Sequence, residues 1–341
     1  MAAAIGVHAA QSLGMRVLVL TVDPAKRLAT ALGLDLNSSE EHVVPLKRAK
    51  GAMSAAVIDS KKIFDDFIRE HASGSEIVER IMKNRLYEQL STTLAGSQEF
   101  TALERLLQAH QSGKFDLIVL DTPPTKHAMD FLTAPHRISA LFQDTVMKWF
   151  IDPDANSKGF FVSLIGRGTR MALKSLEILT GGAFIEELID FFSAIRSVQK
   201  VLRDRSESVL ELLKSNKTSF VVVTSFDAAK LLEAQYLQEE LSRLRYRLNA
   251  VIINRAFPLG VPSEISKPPK GIDPETFEKV LNFHKRFRDY HAVRYNLYDE
   301  FVRGLRSSIT VLRVPEYQKD VRGLSDLQDL ARVLGGEEQE S

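Results

Sequence analysis

The chain has 341 residues and contains no cysteine. This absence excludes disulfide bridges, zinc sites built from thiolates and a cysteine nucleophile, and it is typical of a protein that works in a reducing cytoplasm. It also argues against the capture of soft metalloids, which prefer thiolate ligands. We therefore expect a cytoplasmic protein whose site chemistry uses oxygen and nitrogen ligands.

The sequence also lacks an excess of charge of either sign. Its 45 Lys and Arg residues balance 44 Asp and Glu residues, so the formal net charge is +1. Such a balance gives no global attraction to nucleic acid, and we expect no nucleic acid partner. Long apolar runs are missing as well: no stretch approaches the roughly 20 residues of a membrane-spanning helix, so we do not expect the chain to cross a membrane.

Two apolar segments each run directly into an acidic turn. They are Val17-Leu-Val-Leu-Thr-Val-Asp23-Pro24-Ala25 and Leu117-Ile-Val-Leu-Asp121-Thr122-Pro-Pro124-Thr125. Apolar runs without polar alternation predict strands buried on both faces, as in a parallel sheet covered by helices. The carboxyl ends of such strands form the ligand-binding edge of an open α/β sheet. We therefore expect Asp23 and Asp121 to share that edge, where carboxylates can serve a metal-bound nucleoside triphosphate.

Strand patterns alternate with helical patterns along most of the chain. This order predicts an α/β protein with a doubly wound, mainly parallel sheet. The predicted strands are 16–22, 52–58, 115–120, 218–224, 247–253 and 308–313. The predicted helices are 2–13, 61–71, 76–94, 99–112 and 228–244.

Two segments interrupt this alternation. Residues 126–216 carry apolar side chains at helical spacing and no clear strand, which predicts a helical subdomain inserted between two parts, 1–125 and 217–341, of one α/β domain. Residues 255–307 begin with a loop rich in Pro and Gly and continue as a basic, aromatic helix. We interpret the basic stretch 286–291 in that helix as a solvated face rather than a nucleic acid site.

Four motifs follow the sequence order of the ArsA/GET ATPases, P-loop proteins with a deviant Walker A motif. They are Asp23-Pro-Ala-Lys-Arg-Leu28, Asp121-Thr-Pro-Pro-Thr-Lys-His127, Ile253-Asn254-Arg255 and Pro315-Glu-Tyr-Gln-Lys-Asp320-Val-Arg322-Gly323-Leu324. The chain resembles this family over nearly its whole length, and it is most similar to the bacterial anion-transporting branch. The resemblance implies a P-loop NTPase fold that binds and hydrolyses ATP with Mg²⁺.

By this resemblance, Asp23 belongs to a first switch, together with Pro24 and Ala25. It would orient or deprotonate the water that attacks the γ-phosphate, a role that needs a carboxylate at in-line distance. The alternative for Asp23 is a simple cap of the following helix.

The second acidic turn resembles the Walker B strand and second switch of the family. Asp121 would hold Mg²⁺ through water, because this ion keeps several of its waters; the alternative is a strand-end turn residue. The switch that senses the γ-phosphate would comprise Thr122, Pro124, Thr125 and His127. His127 is equally compatible with an ordinary position at a helix start.

Asn254 ends a predicted strand, and its amide can both donate and accept hydrogen bonds at an adenine edge. The resemblance assigns Asn254 that contact, with a following loop closing over the base. The loop residues that match the family are Pro315, Asp320, Val321 and Arg322. Relatives often carry Glu where this chain has Asp320. The alternative for Asn254 is a cap at the end of a strand.

The glycine-rich phosphate loop of the family, Gly-Lys-Gly-Gly-Val-Gly-Lys-Thr-Thr, does not occur in the sequence. In the family a strand and this loop precede the helix that begins here at Met1. Gly166-Arg-Gly168 is no substitute, because no strand precedes it and no Lys-Ser/Thr follows it. Either Met1 is an internal methionine of a longer chain, or the protein is a degenerate subunit. We favour the first, because loss of a mid-sheet strand would leave two unpaired edges.

The helical insertion is the part expected to meet a partner. Its aromatic and aliphatic side chains either line an apolar groove, as in relatives that target tail-anchored proteins, or pack in the core; they are Phe160, Phe161, Leu164, Met171, Phe184, Phe191 and Phe192. We expect a homodimer, or a heterodimer with a paralogue, whose nucleotide state moves the insertion against a hydrophobic client or membrane-protein partner. The alternatives are a non-hydrolytic scaffold beside an intact paralogue and an ATP-regulated chaperone for apolar helices.

Overall fold

Helices and strands alternate over most of the chain in a computed structural model. The structure describes residues 1–22, 27–32, 40–92, 97–122, 125–141, 182–256, 271–317 and 320–336. Residues 2–213 form one compact unit and residues 214–341 form another. The predicted α/β class with mainly parallel strands is confirmed. The described strands make two sheets, one in each unit, where the prediction had a single sheet.

The first unit holds a four-stranded sheet surrounded by helices. In chain order its elements are α1 (Ala2–Gln11), β1 (Arg16–Thr21), α2 (Arg27–Leu32), β2 (His42–Val43), β3 (Ala52–Val57), α3 (Ser60–His71), α4 (Ser75–Lys83), α5 (Arg85–Thr92), α6 (Ser97–Gln111), β4 (Leu117–Asp121), α7 (Thr125–Leu141) and α8 (Gly182–Lys214). The strand order is β2-β3-β1-β4, and only β2 runs antiparallel. The central strand β1 is buried on both faces from Val17 to Leu20, as its unbroken apolar run predicts.

Helix α1 lies close against this sheet. A Cβ atom at Gly6 would stand 2.7 Å from Cγ2 of Val19 and 3.2 Å from Cε of Met53. Only a residue without a side chain lets the helix approach β1 and β3 at this point. The small apolar residues that surround Gly6 in α1 are accordingly buried.

The second unit holds a parallel three-stranded sheet of order β5-β6-β7. Its elements are β5 (Phe220–Ser225), α9 (Ala228–Arg243), β6 (Leu248–Ala256), α10 (Pro274–Gly304), β7 (Thr310–Pro315) and α11 (Gly323–Leu334). Asp227 caps α9 by accepting a hydrogen bond from the backbone N of Ala229, and Asp273 caps α10 in the same way at Thr276. Acidic residues at these helix starts follow the usual N-cap preference.

One predicted helix, 76–94, is two helices in the structure. Asn84 interrupts it with an extended backbone (φ −77°, ψ 130°) between α4 and α5. Its side chain accepts a hydrogen bond from the backbone N of Leu86 and donates one to the carbonyl of Glu187 in α8. The amide therefore replaces the helical bonds lost at the break, and periodicity alone does not signal such a turn.

The described part of the predicted helical insertion contributes to the core of the first unit. Phe191 and Phe192 are 3% and 5% exposed and pack with Phe67, Ile81 and Phe100. These two side chains therefore belong to the core rather than to an open groove. Phe160, Phe161, Leu164 and Met171 lie outside the described residues.

An ion pair joins the starts of the neighbouring strands β1 and β4. Arg16 donates from Nη2 to Oδ1 of Asp116 at 2.7 Å, and its backbone N donates to Oδ2 at 2.9 Å. Hydrogen bonds from the Arg16 side chain and backbone lower the pKa of Asp116 from 3.8 to about 2. Because the folded pKa is depressed, the stabilisation is present above the ordinary pKa and is lost as pH falls toward 2.

We therefore expect Asp116→Asn to lower the melting temperature at pH 7. The difference from the native protein should shrink as pH falls from about 4 to about 2, because Asp116 then becomes protonated in both states. Thermal unfolding followed by circular dichroism at several pH values measures this effect. A difference that stays constant down to pH 2 would show that the carboxylate charge does not contribute.

Candidate functional site

The carboxyl ends of β1 and β4 lie side by side. Thr21 is paired with Asp121 in the parallel register of the two strands, and the backbone N of Val22 donates to the carbonyl of Asp121 at 3.3 Å. The Asp121 residue is exposed at this edge rather than turned into the core. The chain thus leaves β1 directly beside Asp121, and Asp23 is the next residue after Val22. Asp23, Pro24 and Ala25 themselves lie outside the described residues.

The predicted second switch follows Asp121 without a long connection. Thr122 is exposed, Pro124 lies outside the described residues, and α7 begins at Thr125. Thr125 and His127 therefore fall in the first turn of a 17-residue helix. A helix start four residues after the strand end carries free backbone N–H groups and a partial positive charge, which favour an anion nearby. The position of His127 also fits its alternative interpretation as a helix-start residue.

A third carboxylate follows a strand at the same edge. The backbone N of Ile58 donates to the carbonyl of Thr21 at 2.9 Å, and Asp59 comes next in the chain. Asp59 accepts a hydrogen bond from the backbone N of Lys62 at 3.0 Å and so caps α3. Asp59 is not among the site residues predicted from the sequence. The sequence feature that could have identified Asp59 as a helix cap is its position directly before an amphipathic helical run. Its role is structural.

The residues predicted to meet adenine all lie in the second unit. Asn254 is half-buried near the end of β6, and its Oδ1 accepts a hydrogen bond from the backbone N of Arg255 at 3.0 Å. Arg255 has a left-handed backbone with φ of 54°. Strand β6 continues to Ala256, beyond the predicted end at 253, and Ala256 is paired with Pro315 of β7. Asn254 and Pro315 are therefore close neighbours on adjacent strand ends.

The loop after β7 is held by its own short-range contacts. Arg322 donates from its backbone N to Oδ2 of Asp326 at 2.8 Å, which fixes the start of α11. Its guanidinium donates to Asp320 at 3.4 Å, and both side chains are largely exposed. Val321 between them is half-buried. The carboxylate of Asp320 thus faces an arginine two residues away.

Nothing in the sequence indicated that Arg313, a cationic residue near this loop, stacks on aromatic rings. The guanidinium of Arg313 in β7 lies 5.2 Å from the ring centroid of Tyr298 and 5.9 Å from that of Phe226. Such stacking joins β7 to the carboxyl-terminal part of α10. A lone arginine in an apolar strand gives no sequence signal for its ring partners, because they come from distant elements.

Two clefts in the second unit lie away from these residues. One, of about 320 Å³, lies between α9 and α10, and the other, of about 460 Å³, lies beside the amino end of β6. Neither is lined by Asn254 or by the loop after β7. In the part of the chain that the structure describes, no three His, Asp or Glu side chains gather as a metal site. No helix there is long and apolar enough to cross a membrane.

Parallel sheets with Asp121 and Asn254 at strand carboxyl ends are typical of nucleotide-binding α/β proteins of the P-loop NTPase type. A family model described as anion-transporting ATPase (ArsA) matches residues 1–309, and the chain belongs to this family of ATPases. Membership implies nucleotide binding. The predicted membership in the ArsA/GET-type ATPases is therefore confirmed.

Curated relatives are distant but cover most of the chain. A putative arsenical pump-driving ATPase 1 of Aquifex aeolicus is 24% identical over 339 residues, which cover 96% of this chain and 73% of that protein. An ATPase ASNA1 homolog of Entamoeba dispar is 20% identical over 290 residues, 85% of this chain and 81% of that protein. The ATPase GET3 of Mycosarcoma maydis is 21% identical over 318 residues, 93% of this chain and 81% of that protein.

Proposed function

We propose that this protein binds and hydrolyses Mg²⁺-ATP at the edge formed by the ends of β1 and β4. The observation that carries the proposal is the register of Thr21 with Asp121, which brings the segment after β1 beside an exposed carboxylate. Asp23 would orient or deprotonate the attacking water, with Pro24 and Ala25 completing that turn. Membership in a family of ATPases supports the reaction class.

Asp121 fits a magnesium site of the kind that nucleotides need. Mg²⁺ uses one or two carboxylates, keeps several waters and takes further oxygens from phosphates, so a larger cluster of acidic side chains is not required. The exposed Asp121 would hold the hydrated ion, and Thr122, Pro124, Thr125 and His127 would form the switch after it. When bound, Mg²⁺ neutralises charge on the β- and γ-phosphate oxygens.

The base would bind through residues of the second unit. Asn254 and Pro315 stand on adjacent strand ends, with Oδ1 of Asn254 already accepting from Arg255. Its amide N–H groups would then serve adenine. Asp320, Val321 and Arg322 would close over the base. We therefore propose that residues 1–125 and 217–341 bind the nucleotide and that residues 126–216 form a helical insertion.

A change in the bound nucleotide would be transmitted to the insertion through α7. This helix begins four residues after Asp121 and leads into residues 126–216, and α8 returns from them to pack against α4 and α5. A shift of the switch would therefore move a helix of the insertion directly. We propose that the moving insertion engages a hydrophobic client or a membrane-protein partner, and that the protein works as a homodimer or as a heterodimer with a paralogue.

Asp121→Asn tests the magnesium role. We expect the Mg²⁺ concentration for half-maximal binding of a fluorescent ATP analogue to rise about tenfold or more, the usual cost of losing a group that holds a metal through its outer shell. Asp116→Asn, at the opposite end of β4, is the matched control and should leave the Mg²⁺ dependence unchanged. Equal Mg²⁺ dependence in Asp121→Asn and the native protein would contradict the assignment.

A non-hydrolytic scaffold is the second candidate for the function. A scaffold would bind an intact paralogue without turnover of its own. Steady-state phosphate release by protein expressed from the complete reading frame separates the two, because a scaffold gives none at any Mg²⁺ or ATP concentration.

A further inference from the structure

The cleft beside the amino end of β6 is lined by basic side chains. It measures about 460 Å³ and lies where α9 ends, β6 begins and the chain approaches β7. Three of its lining residues are arginines and three have neutral side chains that form hydrogen bonds; they are Arg245, Arg247, Arg306, Ser242, Asn249 and Ser308. Among the described residues, no Asp or Glu lines this cleft. It therefore carries charge of one sign in a chain that is nearly neutral as a whole.

The three guanidinium groups are available to a ligand. Arg245 and Arg247 are exposed, and no carboxylate of the described residues pairs with either guanidinium. Arg306 donates from Nη2 to Oγ of Ser242 at 3.1 Å. This neutral partner holds the guanidinium at the cleft and leaves its charge uncompensated. An anion that enters the cleft therefore meets cations that do not first have to leave an acidic partner.

The acidic residues nearest to the cleft in the sequence are engaged elsewhere. Glu240 accepts a hydrogen bond from Nε of Arg243 at 3.0 Å, so these two charges neutralise each other. Glu239 accepts from Gln235 at 3.2 Å and lines the neighbouring cleft between α9 and α10. Neither carboxylate is part of the basic cleft. Its positive charge is therefore not cancelled by the end of α9.

The backbone of Arg245 gives a second, independent observation. The backbone N of Arg245 donates to the carbonyl of Ser242, and that of Tyr246 donates to the carbonyl of Leu241. These two bonds form a Schellman motif at the end of α9, and Arg245 has the left-handed backbone of that motif with φ of 62°. Glycine is the usual residue there, because a side chain is strained in this conformation. The turn does not need an arginine, so the side chain of Arg245 points to a functional role.

We propose that this basic cleft binds a small molecule that carries two or more phosphate groups. A guanidinium binds phosphate oxygens through two parallel hydrogen bonds, and three such groups suit a polyvalent anion better than a single carboxylate. The volume is within the range of small-molecule sites, and Leu248 and Ile309 add apolar walls. Nucleic acid fits less well, because it binds along an extended basic surface that a net charge of +1 does not favour.

The basic cleft is distinct from the proposed nucleotide site. Asn249 lies near the start of β6, whereas Asn254 lies near its carboxyl end. At about 3.3 Å per residue, these positions are roughly 16 Å apart along the strand. An anion in the cleft would therefore not occupy the place proposed for adenine. The inference goes beyond the proposed function and does not depend on it.

Isothermal titration calorimetry with inorganic pyrophosphate tests the proposal on the full protein, with a chelator present to remove Mg²⁺. We expect binding that weakens as sodium chloride screens the charges. Arg245→Gln with Arg247→Gln should raise the Kd at least about tenfold, because each lost charge-assisted hydrogen bond contributes on that scale. Lys285→Gln with Arg286→Gln removes two exposed cations of α10 outside the cleft and is the charge-matched control, which should bind like the native protein.

Arg245→Gly separates a ligand role from a structural one. Glycine suits the left-handed position, so the melting temperature without ligand should be equal to or higher than that of the native protein. Pyrophosphate should nevertheless raise the melting temperature of this variant less than that of the native protein, because binding stabilises the folded state in proportion to affinity. A lower melting temperature of Arg245→Gly without ligand would show that the side chain serves the turn, against the proposal.

Three further outcomes would overturn the proposal. They are absence of pyrophosphate binding by the native protein, native affinity in the double arginine variant, and an equal loss of affinity in the α10 control. Tighter binding of a single-stranded oligonucleotide than of pyrophosphate, lost in the same arginine variant, would assign the cleft to nucleic acid instead. None of these measurements depends on ATP turnover, so the anion proposal can fail while the ATPase proposal stands.

Discussion

Asp23→Asn is expected to lower kcat for ATP hydrolysis at least about 10²-fold, the low end of the usual contribution of a positioned acid or base. Asn keeps the size and the hydrogen-bonding oxygen of the side chain but cannot accept a proton from water. Binding of the ATP analogue should change little, because the carboxylate acts on the attacking water and not on the base or ribose. Phosphate release by protein expressed from the complete reading frame measures the effect.

Asp59→Asn is the matched control for this experiment. Asp59 follows the neighbouring strand β3 at the same edge, but its carboxylate caps α3. Asn is nearly as good a cap as Asp, so both stability and kcat should stay close to native values. Equal kcat for Asp23→Asn and Asp59→Asn would show that Asp23 is an ordinary turn residue. An equal loss in both would indicate that this edge needs charge rather than a positioned base.

The sequence predicts this edge well because a buried parallel strand has a strong and local signal. The run from Val17 to Leu20 has no polar residue, and such a run is typical of a strand covered on both faces, as the burial of β1 shows. An Asp directly after each of two such strands then specifies the edge, since parallel strands end on the same side. The pairing of Thr21 with Asp121 follows from that logic. The roles of Asp23 and Asp121 stay predictions.

Features that depend on contacts between distant residues were not predictable. The break at Asn84 depends on a carbonyl of α8, more than a hundred residues away. The ring partners of Arg313 likewise come from the turn after β5 and from α10 only after folding. Apolar periodicity reports which face of a helix is buried but not what buries it. For that reason Phe191 and Phe192 fitted either a groove or a core until their neighbours were known.

The end strands of the two sheets are only partly covered. Among the described strands, β4 lies at one end of the first sheet, and its residues from Leu117 to Leu120 are only half-buried despite their apolar run. In the second sheet β5 is likewise an end strand, with Val221 41% and Val223 47% exposed. An unbroken apolar run therefore does not by itself show that a strand is covered on both faces.

The second large effect is expected at a buried ion pair that joins α8 to α6. The carboxylate of Glu104 is 1% exposed and Arg205 is 19% exposed. Arg205 donates from Nε to Oε2 of Glu104 at 2.8 Å and from a terminal nitrogen to Oε1, and Gln108 also donates to Oε1 at 3.0 Å. This pair ties α8 to the helix that leads into β4 and Asp121.

Arg205→Met should lower the free energy of unfolding by about 3 kcal/mol, because it leaves the Glu104 carboxylate buried with Gln108 as its remaining donor among these contacts. Glu104→Leu should cost less, about 1–2 kcal/mol, since Arg205 is partly exposed and can turn its guanidinium to water. The double variant should return to within about 1 kcal/mol of the native protein, because no unpaired buried charge remains. Urea titration of the four proteins gives the values and the coupling between them.

Arg105→Met provides the control for loss of a neighbouring arginine on α6. Its partner Glu41 is 31% exposed and Arg105 is 22% exposed, so water replaces the lost contact and the loss should be clearly smaller than for Arg205→Met. Additive losses of stability in the Glu104 and Arg205 single variants would contradict the buried-charge argument.

The double variant also allows a test of activity. If it is stable but its ATPase rate depends on the Mg²⁺-ATP concentration differently from that of the native protein, the pair also holds α8 in place relative to β4, the strand that ends at Asp121. That result would connect the stability of this contact to the proposed movement of the insertion.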